Sequence, residues 1–208
     1  MENLRASVKR GVHIQYTGID GAGKSTQAGK LTYHLLKRCG PTYLAESRTD
    51  FASKLMDSLA WQYGHTDRRT YYSDHVVDFA KAFDVVRNHN TEIEPLLAAG
   101  MHVVEPRSIY CRTAMALAMS GMRDDKTEQL LDLIPKPDLL FWIDTDPLVA
   151  LGRVQKRGTD FEKLEDLEKF SAAFRAMFPL QKWVRIDGGM SRQKIFLETC
   201  KHVDVLFS

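Results

Sequence analysis

The sequence predicts an α/β domain of three layers, with about five parallel strands in one sheet and helices on both faces. Three observations predict it. Short β-rich runs alternate with longer helical stretches along the chain. The run 139–143, Leu-Leu-Phe-Trp-Ile, is continuously apolar, as a strand covered on both faces must be. Strands separated by helices pair in parallel through right-handed crossovers. No internal repeat, low-complexity tract or linker interrupts the 208 residues, so a single domain over 1–208 is expected.

The elements follow in order. Residues 12–16 alternate with period two and run into a glycine-rich turn. From Lys24 to about Arg38 the chain reads as helix, with Leu31, His34 and Leu35 at helical spacing, and Gly40-Pro41 stops it. Residues 42–45 are a short strand, and two or three helices fit 51–99 before the stop at Gly100. His102-Val103-Val104 is a strand ending in Glu105-Pro106. Helices follow to Leu133, where Pro135 and Pro137 break the chain. After the strand at 139–143, Asp146-Pro147 opens a helix, Asp as N-cap and Pro as first helical residue. Val184-Arg185-Ile186 and a helix to about Leu206 complete the pattern.

Composition narrows the function. Lys plus Arg number 29 against 27 for Asp plus Glu, a formal charge of +2. That balance does not suit a protein that coats polymeric nucleic acid or a membrane by bulk charge, and neither partner is expected. No run approaches the ~18 apolar residues of a bilayer span, and Met1-Glu2-Asn3-Leu4-Arg5 lacks the apolar core of a secretory signal. Cys39, Cys111 and Cys200 form neither a disulfide framework nor a zinc ladder, so a cytoplasmic setting is expected. The histidines show no metal-ligand spacing. Trp61, Tyr63, Tyr71 and Tyr72 read as packing or an interface.

The strongest motif is Gly18-Ile19-Asp20-Gly21-Ala22-Gly23-Lys24-Ser25, which matches GxxxxGK[ST] between a strand and a helix. Its glycines let the backbone aim successive N–H groups at phosphate oxygens, and the helix start adds its positive end. Lys24 reaches the β- and γ-phosphates, and the Ser25 hydroxyl can ligate magnesium. ATP and Mg2+ are therefore the expected cofactors, with nucleotide contacts at Gly18, Asp20, Gly21, Ala22, Gly23, Lys24, Ser25 and Thr26. No NKxD-type segment supports a GTPase, and the chain is short for a motor. A phosphotransferase, which closes over its substrates to exclude water, fits best.

Three stretches resemble thymidylate kinases: GIDGAGKSTQ (18–27), IEPLLAAGMHVVEPRS (93–108) and PDLLFWIDTDPLVALGRVQKRG (137–158). The resemblance covers most of the chain and implies the P-loop kinase fold, with a lid at about 153–165. It implies transfer of the γ-phosphoryl of ATP to a nucleoside monophosphate, most readily dTMP to dTDP, by a homodimer. One lid style in the family puts arginine in the phosphate loop; the other puts glycine there and supplies arginines from the lid. Gly21 stands at that position, so the chain resembles the second, bacterial-type arrangement, with Arg153, Lys156 and Arg157 as lid cations. Lys24, Arg107, Arg153 and Arg157 are then the catalytic set.

The resemblance also assigns the acceptor side. Glu105-Pro106-Arg107 replaces the family's Asp-Arg-Tyr. With Pro106 as an insertion, Glu105 holds magnesium or its water, while Arg107 clamps the acceptor phosphate in two places. Asp20 contacts the acceptor sugar or the magnesium shell. Thymine is read in the family by a Phe and an Arg one helical turn apart. Counting back from Gly100 without gaps puts Val85 at the arginine's position; a two-residue shortening restores Phe83 and Arg87, which are taken as the pair. Cys111, Arg112 and Met115 stand where the family faces the sugar, and Glu46 matches the acid of Arg-Glu-Pro. The acceptor set is thus Asp20, Glu46, Phe83, Arg87, Arg107 and Arg112. Two rivals stay open. RSIYCR (107–112) is also similar to deoxyribonucleoside kinases, in which Glu46 would activate a sugar hydroxyl. The altered Asp-Arg-Tyr would also suit a catalytically silent nucleotide-binding regulator.

Overall fold

The computed structural model describes residues 9–45, 50–120, 125–158, 161–180 and 182–207. Glu46, read above as an acceptor-side residue, lies outside them. Five strands, β1 (His13–Thr17), β2 (Thr42–Leu44), β3 (His102–Glu105), β4 (Leu139–Asp144) and β5 (Val184–Asp187), form one parallel sheet in the order β2-β3-β1-β4-β5. β1 is central and buried along its length, with Ile14 opposite Val104 of β3 and Tyr16 opposite Phe141 of β4. β4 is apolar from Leu139 to Ile143, since helices cover it on both sides.

Adjacent residues of β4 show the three layers directly, because successive side chains of a strand point to opposite faces. Phe141 stacks on Tyr16 and meets the edge of His202, on α9 (Arg192–Asp204). Its neighbour Trp142 packs instead on Phe174 of α8 (Leu164–Met177), Phe178 and Trp183. The first face is completed by α1 (Lys24–Arg38), which buries Ala28, Leu31 and Leu35 and packs on α9. The second is completed by α5 (Ile109–Ser120), packed on α8. α8 has no counterpart in the sequence reading, which assigned its start to a lid.

Between β2 and β3 lie α2 (Phe51–Gln62), α3 (Asp74–Asn88) and α4 (Glu94–Ala98). A single turn of 3-10 helix, Arg68–Thr70, precedes α3, and a π-helical turn, His89–Ile93, follows it. Such π turns recur at functional sites, because the extra residue re-aims the side chains around it. Tyr63 stacks on Tyr71, which meets the edge of Tyr72, so these aromatics pack on one another. α7 (Pro147–Arg157) starts as its sequence demands: the Asp146 carboxylate accepts from the N–H groups of Leu148 and Val149. It runs to Arg157 and ends at Gly158 in the left-handed conformation, so Arg153 lies within a helix. Among the described residues no helix is long and apolar enough to cross a membrane.

Candidate active site

The carboxyl ends of β1, β3 and β4 open onto one edge of the sheet, the edge where open α/β sheets bind ligands. Two pockets lie there. One, of about 800 Å³, is lined by the loop and first turn from Asp20 to Gln27, by Arg153, Lys156 and Arg157 of α7, and by Gly189 to Arg192 after β5. The other, of about 380 Å³, is lined by Gln15, Glu105 and Ser108, by Lys81, Val85 and Asn88 of α3, and by Cys111, Arg112 and Met115 of α5. Asp20 and Arg107 line both. They mark the junction.

The first pocket is built around the glycine-rich loop. Gly21 has φ +83°, and a Cβ there would come within 2.3 Å of the Ala150 carbonyl oxygen of α7. A side chain at this position is therefore sterically excluded, which explains why the cationic groups come from α7 rather than from the loop. Lys24 is buried, and its ammonium donates to the carbonyls of Gly18 at 2.9 Å and Ile19 at 2.8 Å. Burial pulls its pKa down, and Arg107 adds to that, while Cys111 and Asp20 oppose it. The Ser25 and Thr26 side chains are exposed at the start of α1 and face the pocket. This donor set suits magnesium, a hard cation that takes few protein ligands beside phosphate and water. Ser25 would hold it. Glu105 does not fit that role: it lines the other pocket, and its Oε2 lies 2.5 Å from both His13 Nε2 and Gln15 Nε2. Among the described residues no cluster of three or more His, Cys, Asp or Glu could hold a metal.

Arg153 also differs from its expected role. Its guanidinium donates to the Gly188 carbonyl at 2.9 Å and the Gly21 carbonyl at 3.4 Å, tying α7 to the phosphate loop and to the turn after β5. It is a bracket for the loop as well as a charge in the pocket. Lys156 and Arg157 line the same pocket one turn further on.

At the junction, Arg107 Nη2 donates to Asp20 Oδ1 at 2.7 Å, and Lys24 Nζ lies 3.5 Å from the same oxygen. Burial alone would raise the Asp20 pKa, but the charges of Lys24 and Arg107 hold it below its ordinary value. Asp20 thus stays ionised and fixes both cations where the pockets meet. Below them, the Cys111 thiol sits 3.2 Å from the Thr17 hydroxyl; burial pushes its pKa up, and Lys24 and Arg107 more than offset that.

The second pocket departs most from the sequence reading. Phe83 and Arg87 are exposed and do not line it; the Arg87 guanidinium rests 5.0 Å from the Phe51 ring on the outer side of α2 and α3. The pocket face of α3 is Lys81, Val85 and Asn88, one turn apart. The gap-free count, with Val85 inward, describes the geometry, and the pairing of Phe83 with Arg87 is corrected. Both pairs have helical spacing, and only packing on α5 and α6 (Asp125–Leu131) decides which one turns in. Arg112 and Met115 line the pocket. Sequence reasoning missed Gln15, Arg68, Lys81, Asn88 and His89. Spacing along α3 would have found Lys81 and Asn88; no local signal pointed to Gln15, in a strand buried on both faces.

The model of the family described as thymidylate kinase matches residues 17–196. A thymidylate kinase of Leptospira borgpetersenii is 28% identical, with 92% of each chain covered. A probable thymidylate kinase of Pyrobaculum aerophilum is 29% identical over 88% of this chain and 91% of its own. One of Archaeoglobus fulgidus is 31% identical over 77% of this chain and 79% of its own.

Proposed function

The chain belongs to the thymidylate kinase family, and from that premise we propose that it transfers the γ-phosphoryl group of ATP to the phosphate of a nucleoside monophosphate. The names of its relatives point to dTMP as acceptor and dTDP as product. The observation that carries this reading is the shared boundary: a phosphate cradle and a second pocket lined by both cations and carboxylates meet at Asp20 and Arg107. In-line transfer needs its two phosphates to face each other across such a junction.

The acceptor phosphate is already a nucleophile, so the protein supplies position and charge. Lys24 exchanges its loop carbonyls for the β- and γ-phosphates of ATP and follows the charge that develops between them. Arg107 grips the acceptor phosphate while Asp20 holds its guanidinium in place. Arg153, Lys156 and Arg157 add positive charge on the donor side. Ser25 would hold magnesium, which when bound would neutralise charge on the phosphates.

The homodimer that the resemblance implies has a surface to use. α2 exposes Phe51 and Leu55, and α3 exposes Val76, Phe79 and Phe83. A screen of ADP release across nucleosides and nucleoside monophosphates tests the reading. Release that depends on dTMP supports it. Release with thymidine and not dTMP selects the nucleoside kinase, in which Glu105, on the acceptor pocket, becomes a candidate base for the hydroxyl. ATP binding without acceptor-dependent release selects the silent regulator.

A further inference from the structure

The second pocket reaches down to a polar residue in the middle of a buried strand. β1 is covered on both faces, yet its third residue is Gln15, only 4% exposed, and Gln15 lines the pocket. Four buried side-chain polar atoms of lining residues have no hydrogen-bond partner: Gln15 Oε1, Arg68 Nη1, His89 Nε2 and Ser108 Oγ. Atoms left so cost stability unless a ligand or a water completes them. Arg68 is tied to Asp57 through Nε at 2.9 Å, and Ser108 adjoins Arg107 in the chain. Gln15 and His89 share a different neighbour, His13. Gln15 Nε2 lies 3.4 Å from His13 Nε2, and the His13 and His89 ring centroids are 6.0 Å apart.

The neighbours of the two residues fix their hydrogen-bonding sense. The Gln15 amide donates to Glu105 Oε2 at 2.5 Å; turned over, it would set its oxygen against that carboxylate. Oε1 is therefore left as an acceptor. His89 is as buried as Gln15, and burial beside His13 lowers its pKa, so the ring is neutral at neutral pH. The Glu94 carboxylate, 3.8 Å from Nε2, favours the tautomer that carries its proton there, which makes Nε2 a donor. Val85 of α3 lines the same pocket without any side-chain group that can hydrogen-bond. It stands where the resemblance puts the arginine that reads thymine, so those hydrogen bonds must come from other residues.

We propose that Gln15 and His89 read the base of the acceptor nucleotide, Gln15 Oε1 taking the hydrogen of a ring N–H and His89 Nε2 donating to the carbonyl beside it. The imide edge of thymine or uracil offers that pair of groups. The proposal rests on the kinase reading for the identity of the pocket and deepens it by naming what selects the base. A site built to hydrogen-bond a substrate rejects the analogue that lacks the matching group, because its own buried atoms are then left unpaired.

Calorimetric titration with two nucleoside monophosphates tests this. dTMP is the reference, and 3-methylthymidine 5′-monophosphate replaces its ring N–H by N–CH3. The parent protein should bind the methylated nucleotide about 30-fold more weakly than dTMP. Gln15→Met keeps the length of the side chain and removes its acceptor. It should weaken dTMP about tenfold and leave the methylated nucleotide nearly unchanged, so the preference shrinks to about threefold. His89→Leu leaves Glu105 both of its partners and should shrink the preference in the same way, should Gln15→Met melt early. Equal binding of the two nucleotides by the parent would overturn the proposal and leave the two atoms to water. So would a Gln15→Met variant that weakens both by one factor, since Gln15 would then act only through Glu105. ADP release measured alongside keeps this proposal apart from the kinase reading. A preference set by Gln15 with no monophosphate turned over would uphold the base contact and sink the kinase. Turnover of dTMP with no preference against the methylated nucleotide would do the reverse.

Discussion

The two pockets at the sheet edge were built in different ways. The ATP-side pocket draws its core from one unbroken stretch, Asp20 to Gln27, where a turn and the first residues of α1 present the backbone to phosphate. The second pocket draws one to four residues each from β1, the 3-10 turn, α3, β3 and α5, which lie far apart in the chain. The first is local chemistry, carried by a strand, a glycine-rich turn and the helix that follows it. The second is a meeting of surfaces, and one substitution on any of five elements can change it. This difference teaches why the first pocket can be read from neighbouring residues and the second only from the packed structure.

Lys24→Ala is the largest blow to the constant side. It should lower kcat by about 100- to 1000-fold, the scale of a lost transition-state donor. A thermal melt close to that of the parent would show that the fold survives. Turnover near the parent level in a folded variant would sink the kinase. Arg107→Ala tests the junction itself. It should cost roughly 1.5–3 kcal/mol in kcat/KM for dTMP, the range for a hydrogen bond to a charged group. An effect confined to the KM for ATP would place Arg107 with the donor instead.

Arg153→Ala sharpens the comparison from the donor side. Because it ties Gly21 to Gly188, its loss should raise the KM for ATP and lower kcat by about tenfold together, leaving the acceptor KM unchanged. A fall in kcat alone would return Arg153 to the part of a late-arriving lid cation.

His89 probes the acceptor side by pH. Burial and the His13 ring, 6.0 Å away, lower its pKa below the ordinary value of 6.5. The unfolded chain therefore takes up the proton first as pH falls. Stability is full above about pH 6.5 and declines below it, by no more than about 1.4 kcal/mol per pH unit for this one group. Denaturant titrations between pH 7 and 5 should show a shallower loss in His89→Gln, and an unchanged slope would exclude His89 as a source. The smallest effect belongs to Arg87→Ala. Exposed on α3 and away from the pocket, it should alter kcat/KM for any acceptor by less than about twofold. A loss of thymine preference would restore the pairing of Phe83 with Arg87.

Much of the molecule was legible from sequence alone. The parallel sheet could be read because strands and helices announce themselves by period, and β4 announces its double cover by its unbroken apolar run from Leu139 to Ile143. The phosphate loop could be read because its function is a backbone conformation, encoded by neighbouring residues and by the helix that must start at Lys24. Tertiary structure decided the rest. Phe83 with Arg87 and Lys81 with Val85 have the same spacing on α3, so no periodicity separates them, and the packing of α3 on α5 and α6 turned the second pair inward. Glu105 sits at a strand end beside the phosphate loop, but it is bonded to His13 and Gln15 and lines the second pocket. Arg153 reads as a free cation at a helix end until the Gly21 and Gly188 carbonyls are brought within its reach. A helix or strand specifies which residues share a face; only what packs against it specifies which face meets the ligand.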